Sequence, residues 1–307
     1  MATTTTVQTS YNGQLAGGII SESLFKASSL EGGIVTIKPN VKFKTILKRL
    51  ATGSLLQADS CDFDASSTVS YDERELEVKA LKVNLQLCKD DFMDDYQALS
   101  MGDSAHKNFP KSFADYLIKH VQERVAQETE IMLWQGAGTT DNIEGFEPKF
   151  VADATVIDVA GIAADASTIL VELQKVVDAI PTAILKSEDL RLIVSSSVER
   201  AYITALGGFG ANGLGANGYK GEGTNQAFAG LMFAGIKLVV ANGLTEGNIV
   251  ASRISNLHFG TSLMSDMNLV KTIDMSPIDG SDNVRFIMKM QAGVQYAYGA
   301  EIVYYAV

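Results

Sequence analysis

Hydrophobic residues recur at helical spacing over 113–136, FADYLIKHVQERVAQETEIMLWQG. Phe113, Leu117, Val121 and Val125 form one stripe, with Tyr116, Ile131 and Met132 beside it. Pro110 sits before or at the start, Ser112 and Asp115 resemble a capping box, and Gly136 is a natural C-terminal stop. About 22 residues at 1.5 Å each predict a rod of roughly 33 Å. The pattern changes to alternation over ELEVKALKVNLQLC, residues 75–88. Leu76 and Val78 share one face; Leu81, Val83, Leu85 and Leu87 continue one residue out of phase. A slip at Ala80–Leu81 within a long strand predicts a bulge or a change of face.

Downstream the pattern is mixed. Residues 166–180 predict a helix with Ile169, Leu170, Leu173, Val176, Val177 and Ile180 inward, closed by Pro181. LRLIV (190–194) reads as a buried strand, and Ser196 or Ser197 caps a helix through Leu206. Strands are expected at 236–240, 248–252, 269–275 and 283–291, with EIVYYAV closing the chain. Residues 90–99 predict a short acidic helix. Residues 1–33, rich in Thr, Ser and Gly, cannot pack a core alone and read as a flexible or partner-dependent arm.

With 307 residues and 46% hydrophobic content, the chain can bury a substantial core. The formal net charge of −11 excludes a surface that grips phosphate everywhere. The charge is also segregated. Lys38, Lys42, Lys44, Lys48 and Arg49 come without an acid among them, and the stretch holding Asp59, Asp62, Asp64, Asp72, Glu73, Glu75 and Glu77 is relieved only by Arg74. Cys61 and Cys88 have no metal-ligand spacing and are too few for a disulfide framework, which fits folding in a reducing compartment. The N-terminus lacks a signal pattern, and no apolar run has membrane-spanning length.

Candidate chemistry is sparse. Asp90, Asp91, Asp94 and Asp95 imitate the paired carboxylates that hold Mg²⁺, but acids at a helix N-terminus favour the macrodipole without a metal. The loop GFGANGLGANGYKGEG holds Lys220 among glycines, yet Gly-Glu-Gly follows where a phosphate-binding loop requires Ser or Thr and a helix. His106, His120 and His258 are scattered, and His120 beside the apolar stripe reads as a packing residue. Glu123, Glu128 and Glu130 read as a solvated or partner-facing side of the long helix. No group of residues makes a catalytic, cofactor or metal site.

The order of these parts resembles the major capsid protein of tailed double-stranded DNA phages, the Hong Kong 97-type fold. Glu128, Glu130, Trp134, Gly136 and Gly145–Phe146 are similar to the end of its spine helix, and Met290–Tyr296 to its return strand. The resemblance implies an α+β fold with an N-terminal arm (1–49), an E-loop (50–88), a peripheral domain with the spine helix (89–149), an axial domain (150–265), and peripheral return strands with a final axial strand (266–307). It implies a structural protein, not an enzyme, that assembles as hexamers and pentamers into an icosahedral virion shell in the host cytoplasm. The shell would enclose double-stranded DNA without sequence-specific binding, with no cofactor and no membrane. Portal and decoration proteins are further partners, and a separate scaffold or none is implied, since the chain has no room for a scaffolding segment. A bacterial encapsulin shell is the nearest alternative, and an Mg-dependent enzyme using Asp90–Asp95 is the alternative of another class.

Physics supports a tiling role. A two-stranded ribbon is marginal in water and must lie on something else. The expectation is that Lys38, Lys42, Lys44, Lys48 and Arg49 meet Asp72, Glu73, Glu75 and Glu77 of an adjacent copy, with Lys79 in the same interface. Exposed ion pairs of this kind set register more than stability. Gly210, Gly213, Gly215, Gly218 and Lys220 are expected at the capsomer centre, where glycines let one chain adopt several shapes.

Overall fold

The computed structural model describes residues 9–12, 27–53, 56, 59, 69–88, 111–139, 142–163, 165–206, 231–262, 269–281 and 283–307. The expected acidic helix at 90–99, with Asp90, Asp91, Asp94 and Asp95, lies outside the described residues, as do Cys61, His106 and the glycine-rich loop. So do the side chains of Phe113, Tyr116, Leu117 and His120.

The architecture is mixed α/β, with two six-stranded sheets and a separate two-stranded hairpin. The first sheet runs β1 (Thr9–Asn12), β12 (Leu269–Asp274), β13 (Asn283–Tyr296), β11 (Leu257–Thr261), β2 (Thr36–Lys38), and β5 (Lys79–Cys88) also pairs with β13. The β5–β13 ladder is antiparallel from Asn283↔Cys88 to Ala292↔Lys79. In β13, Val284, Phe286, Met288 and Met290 are buried. Their cross-strand partners Leu87, Leu85, Val83 and Leu81 pack beside them on the same core. Helix α2 (Lys111–Gln135) adds Val121, Val125, Leu133 and Trp134 to that core.

The second sheet runs β6 (Ile157–Ala160), β14 (Val303–Ala306), β10 (Ile249–Arg253), β7 (Leu190–Val194), β9 (Ile236–Val240), β8 (Met232–Phe233). Helices α4 (Ile169–Ala179) and α5 (Ser196–Ala205) cover one face, where Leu173, Val176, Val198 and Tyr202 pack on Leu190, Leu192 and Val194. Ile193, Val250 and Tyr304 point into the first core instead. Burial on both sides is why Leu192, Ile193 and Val194 are apolar in succession, while the half-buried Arg191 marks the start of the strand.

The long helix stops because of close packing at its end. A Cβ on Gly136 would lie 2.2 Å from the Ile143 carbonyl oxygen, and one on Gly145 would lie 2.5 Å from that of Trp134. The Gly145 N–H donates to the Gly136 carbonyl at 2.8 Å, so the chain folds straight back into α3 (Phe146–Ala152). Trp134 is fully buried and donates from Nε1 to Ser29 Oγ at 2.8 Å.

Two expectations are corrected here. Glu130 does not face solvent or a partner. It is buried and accepts from the Ser29 N–H (2.9 Å) and hydroxyl (2.5 Å), because a buried carboxylate needs donors. Glu123 and Glu128 are exposed. Parts of the N-terminal segment pack on their own body: β1 pairs with β12, and helix α1 (Ser28–Glu31) buries Leu30 beside Ala27 and Ser29. Finally, Ser195, not Ser196 or Ser197, is the N-cap of α5 and makes no side-chain capping bond. The Ser195 and Ser197 hydroxyls accept from the Gly247 N–H at 3.0 and 3.1 Å.

Candidate assembly surface

Strand β3 (Lys44–Thr52) pairs antiparallel with β4 (Val69–Glu77), from Lys44↔Glu77 to Thr52↔Val69. The single strand predicted over 75–88 is therefore parts of two strands with different partners. The phase slip is real and falls at Val78, where the chain leaves the hairpin and enters the first sheet as β5. Residues 79–88 are thus covered by their own chain, and the uncovered ribbon is the hairpin before them.

The hairpin has two unlike faces. Leu47 and Leu76 point inward and are buried, followed by Val78. Leu76 and Val78 rest on two glycines. A Cβ on Gly260 would lie 3.0 Å from Leu76 Cδ2, and one on Gly293 would lie 2.1 Å from the Glu77 carbonyl oxygen. The missing side chains allow the two layers to approach this closely. Gln295 Nε2 donates to the Glu75 carbonyl at 2.9 Å, and Arg49 Nη1 donates to that of Ala297 at 3.3 Å.

A clasp completes the attachment. Arg74 pairs with Asp153 and stacks over Tyr296, 4.5 Å from the ring centroid. Tyr296 Oη donates to Asp153 Oδ2 at 2.8 Å, and the Thr155 N–H donates to Oδ1 at 2.9 Å. Burial alone would push the Asp153 carboxyl up. The Thr155 N–H, the Arg74 guanidinium and the two hydroxyls outweigh it and hold the group well below the ordinary carboxylate range. Burial, reinforced by the bond to Asp153, raises the Tyr296 hydroxyl to about 12.

The opposite face is bare. Ile46 (47% exposed), Leu50 (55%), Val69 (58%) and Tyr71 (58%) line it, with Phe43 (65%) at its base. Leu50 stands opposite Tyr71, Ile46 opposite Glu75. Lys44 pairs with Glu75 at 2.8 Å and Glu77 at 3.3 Å, and Lys48 lies 5.8 Å from the Tyr71 ring centroid. The face therefore changes from ionic near the body to apolar further out.

The basic and acidic stretches do meet, but at Lys44 with Glu75 and Glu77, and at Arg49 with Asp72, they meet within one chain. Adjacent strands bring them together without a second copy. Lys79 is also engaged internally, donating to the Gly138 carbonyl at 3.0 Å. Lys42 and Glu73 are exposed, and Lys38 is half-buried. In the sequence the cations of 38–49 are the more conspicuous feature, and the apolar residues between them are easily missed. The alternation Ile46, Lys48, Leu50 was the available signal for a ribbon with an oily outer side.

His258 is buried in β11, with Nδ1 unpaired among the described residues. Burial, with a lesser contribution from the Lys38 charge, depresses it to about 4. Among the described residues no group of three or more His, Cys, Asp or Glu side chains is placed to hold a metal ion, and no helix is long and apolar enough to cross a membrane.

No family model matches the chain, and no curated protein matches it. Solved structures do. The capsid of a native GTA particle superposes with a TM-score of 0.60 at 16% identity, covering 91% of this chain and 89% of that one. The Gordonia phage Cozz structure gives 0.55 at 11% identity, covering 91% and 86%. The procapsid of satellite phage P4, solved with its size-determination protein, gives 0.53 at 10% identity, covering 94% and 97%. The chain has the fold of these phage capsid structures.

Proposed function

We propose that the chain is the repeating subunit of an icosahedral phage capsid. The observation that carries this reading is the hairpin: a ribbon docked on its own body through one face, with Ile46, Leu50, Val69 and Tyr71 left in water on the other. Soluble monomers rarely keep contiguous apolar patches that a partner does not cover. Here the partner is a neighbouring copy, and many such weak contacts close into a stable shell. The fold shared with the capsid structures supports the same reading.

Within this proposal residues 1–49 are the N-terminal arm, 50–88 the E-loop, 89–149 the peripheral domain with α2 as spine helix, 150–265 the axial domain, and 266–307 the return strands with the final axial strand. The assembly interface includes Lys38, Lys42, Lys48 and Glu73, together with the apolar outer face. Lys44, Arg49, Asp72, Glu75 and Glu77 contribute by keeping the hairpin in shape, and Lys79 by tying the start of β5 to the turn after the long helix. Gly210, Gly213, Gly215, Gly218 and Lys220 form the loop at the centre of hexamers and pentamers. The shell encloses double-stranded DNA without reading its sequence, and scaffold, portal and decoration proteins are its partners during assembly.

Negative-stain microscopy of the purified full chain tests the reading. Closed particles of uniform diameter are expected. A monodisperse monomer at high concentration would overturn it.

A further inference from the structure

The outer face of the first sheet changes character along β13. At its C-terminal end Gly293 and Gln295 lie beneath the hairpin. Toward its N-terminal end the face is open and basic. Lys82 on β5 stands directly opposite Lys289 on β13. Arg285 follows four residues along, opposite Gln86, and Lys271 on β12 faces Ile287 from the other side. Lys82, Arg285 and Lys289 are exposed and Lys271 is half-buried. Together they line a shallow groove of about 540 Å³.

Two features set this patch apart from an ordinary solvated face. First, none of the four cations closes an ion pair among the described residues. Arg285 donates to Gln86 Oε1 at 3.0 Å, and Asp279 at the tip of the β12–β13 connection is near enough to feel its charge. Second, like charges directly opposite across a ladder are destabilising, and Lys82 and Lys289 are such a pair. In a chain with 36 acidic and 25 basic residues, four cations without an ion pair among the described residues on one flat surface are a concentration of charge against the overall balance.

We propose that this face contacts the phosphate backbone of double-stranded nucleic acid. The cations extend roughly 14 Å along β13, from four residues at strand rise. The surface offers no described aromatic ring for stacking unpaired bases, as single-strand binders do. Its apolar members, Ile273 and Ile287, are half-buried and provide no anchor for a peptide. Four phosphate contacts hold a duplex weakly and without sequence preference. Repeated over a closed shell, they would retain a packaged polyanion while each contact remains easily broken. The inference rests on the capsid reading only for the occupant it names, an enclosed duplex; the binding itself does not depend on shell closure.

The test is fluorescence anisotropy of a labelled 20-base-pair duplex with the full-length protein between 50 and 200 mM NaCl. Four contacts predict a log–log salt slope of about −3.6, so affinity falls about 150-fold over that range. The double variant K82Q/K289Q should give a slope of about −1.8 and a fall of about 12-fold. K237Q, which removes one exposed cation from β9, should match the wild type. Thermal melting of each variant reports folding separately, and removing the Lys82–Lys289 repulsion should not lower it. Absence of duplex binding at 50 mM NaCl overturns the proposal, as does equal weakening by K237Q. Displacement of the duplex by poly-glutamate at equal charge concentration would overturn the assignment to nucleic acid. The anisotropy is read at concentrations where microscopy shows no particles, so that the face is accessible; unassembled subunits that ignore the duplex but close into shells when concentrated leave the capsid reading standing and remove this one.

Discussion

Two antiparallel ladders of similar length, joined where β4 runs on into β5, behave oppositely. In β5–β13 the apolar side, Leu81 to Leu87 against Met290 to Val284, joins the main core. In β3–β4 the inner apolar side is only Leu47 and Leu76, and Ile46, Leu50, Val69 and Tyr71 remain exposed. Alternation is strict in β5, whereas β3 carries apolar residues on both faces, Ile46 beside Leu47. What also differs is what lies over each face, and that is a property of the whole fold. A strand pattern states that a face must be covered; it does not state by what.

The comparison can be broken most severely at the hairpin's seat. Gly293→Ala would place a methyl group 2.1 Å from the Glu77 carbonyl oxygen, so β4 must lift from β13. A loss of about 3 kcal/mol is expected in denaturant unfolding, at the upper end for overpacking. Arg74→Ala removes the cation of the clasp and leaves Asp153 with uncharged donors. Both groups retain some exposure, so about 2 kcal/mol is expected, less than for a fully buried pair, with faster hydrogen exchange in β3 and β4 than in β5.

Acid should loosen the same seat. His258 lies on the strand whose Gly260 the hairpin covers, and its folded value near 4 is below its ordinary 6.5. Between these values the unfolded chain binds the extra proton, so stability is full above pH 6.5 and declines as pH falls toward 4. Asp153, also depressed, acts with the same sign below the ordinary carboxylate range. Together they predict a loss of about 2 kcal/mol between pH 7 and pH 4.5, mainly from His258. His258→Gln should flatten that part of the pH–stability profile.

A matched pair of truncations sharpens the contrast. Leu85→Ala, in the covered ladder, should cost about 1.5 kcal/mol of monomer stability because its side chain is partly buried on the core. Ile46→Ala, in the open ladder, should change monomer stability by less than about 0.5 kcal/mol.

Several elements were legible in the sequence because they are written locally. The long helix was expected over 113–136 and spans Lys111–Gln135, and LRLIV and Ile236–Val240 are strands as read. The break between β4 and β5 was announced by the phase slip, although it falls at Val78. What was not legible depends on distant neighbours. Glu130 looks like any helix-surface glutamate until Ser29, about a hundred positions earlier, is placed against it. The charged stretches 38–49 and 59–77 pointed to complementary partners, but only the pairing register shows that Lys44 and Arg49 find them within the chain. Lys82 and Lys289 are unremarkable apart and become a patch only when β5 and β13 are paired.

If another copy covers the outer face of the hairpin, as proposed, then making that face polar blocks assembly and leaves the fold intact. Sedimentation velocity of the triple variant Ile46→Ser, Leu50→Ser, Tyr71→Ser measures this most directly, with melting as the control. The expected result is a folded monomer with near-wild-type melting and no large particles, under conditions where the unaltered chain forms closed shells. Wild-type particles in normal yield from the variant would contradict the account.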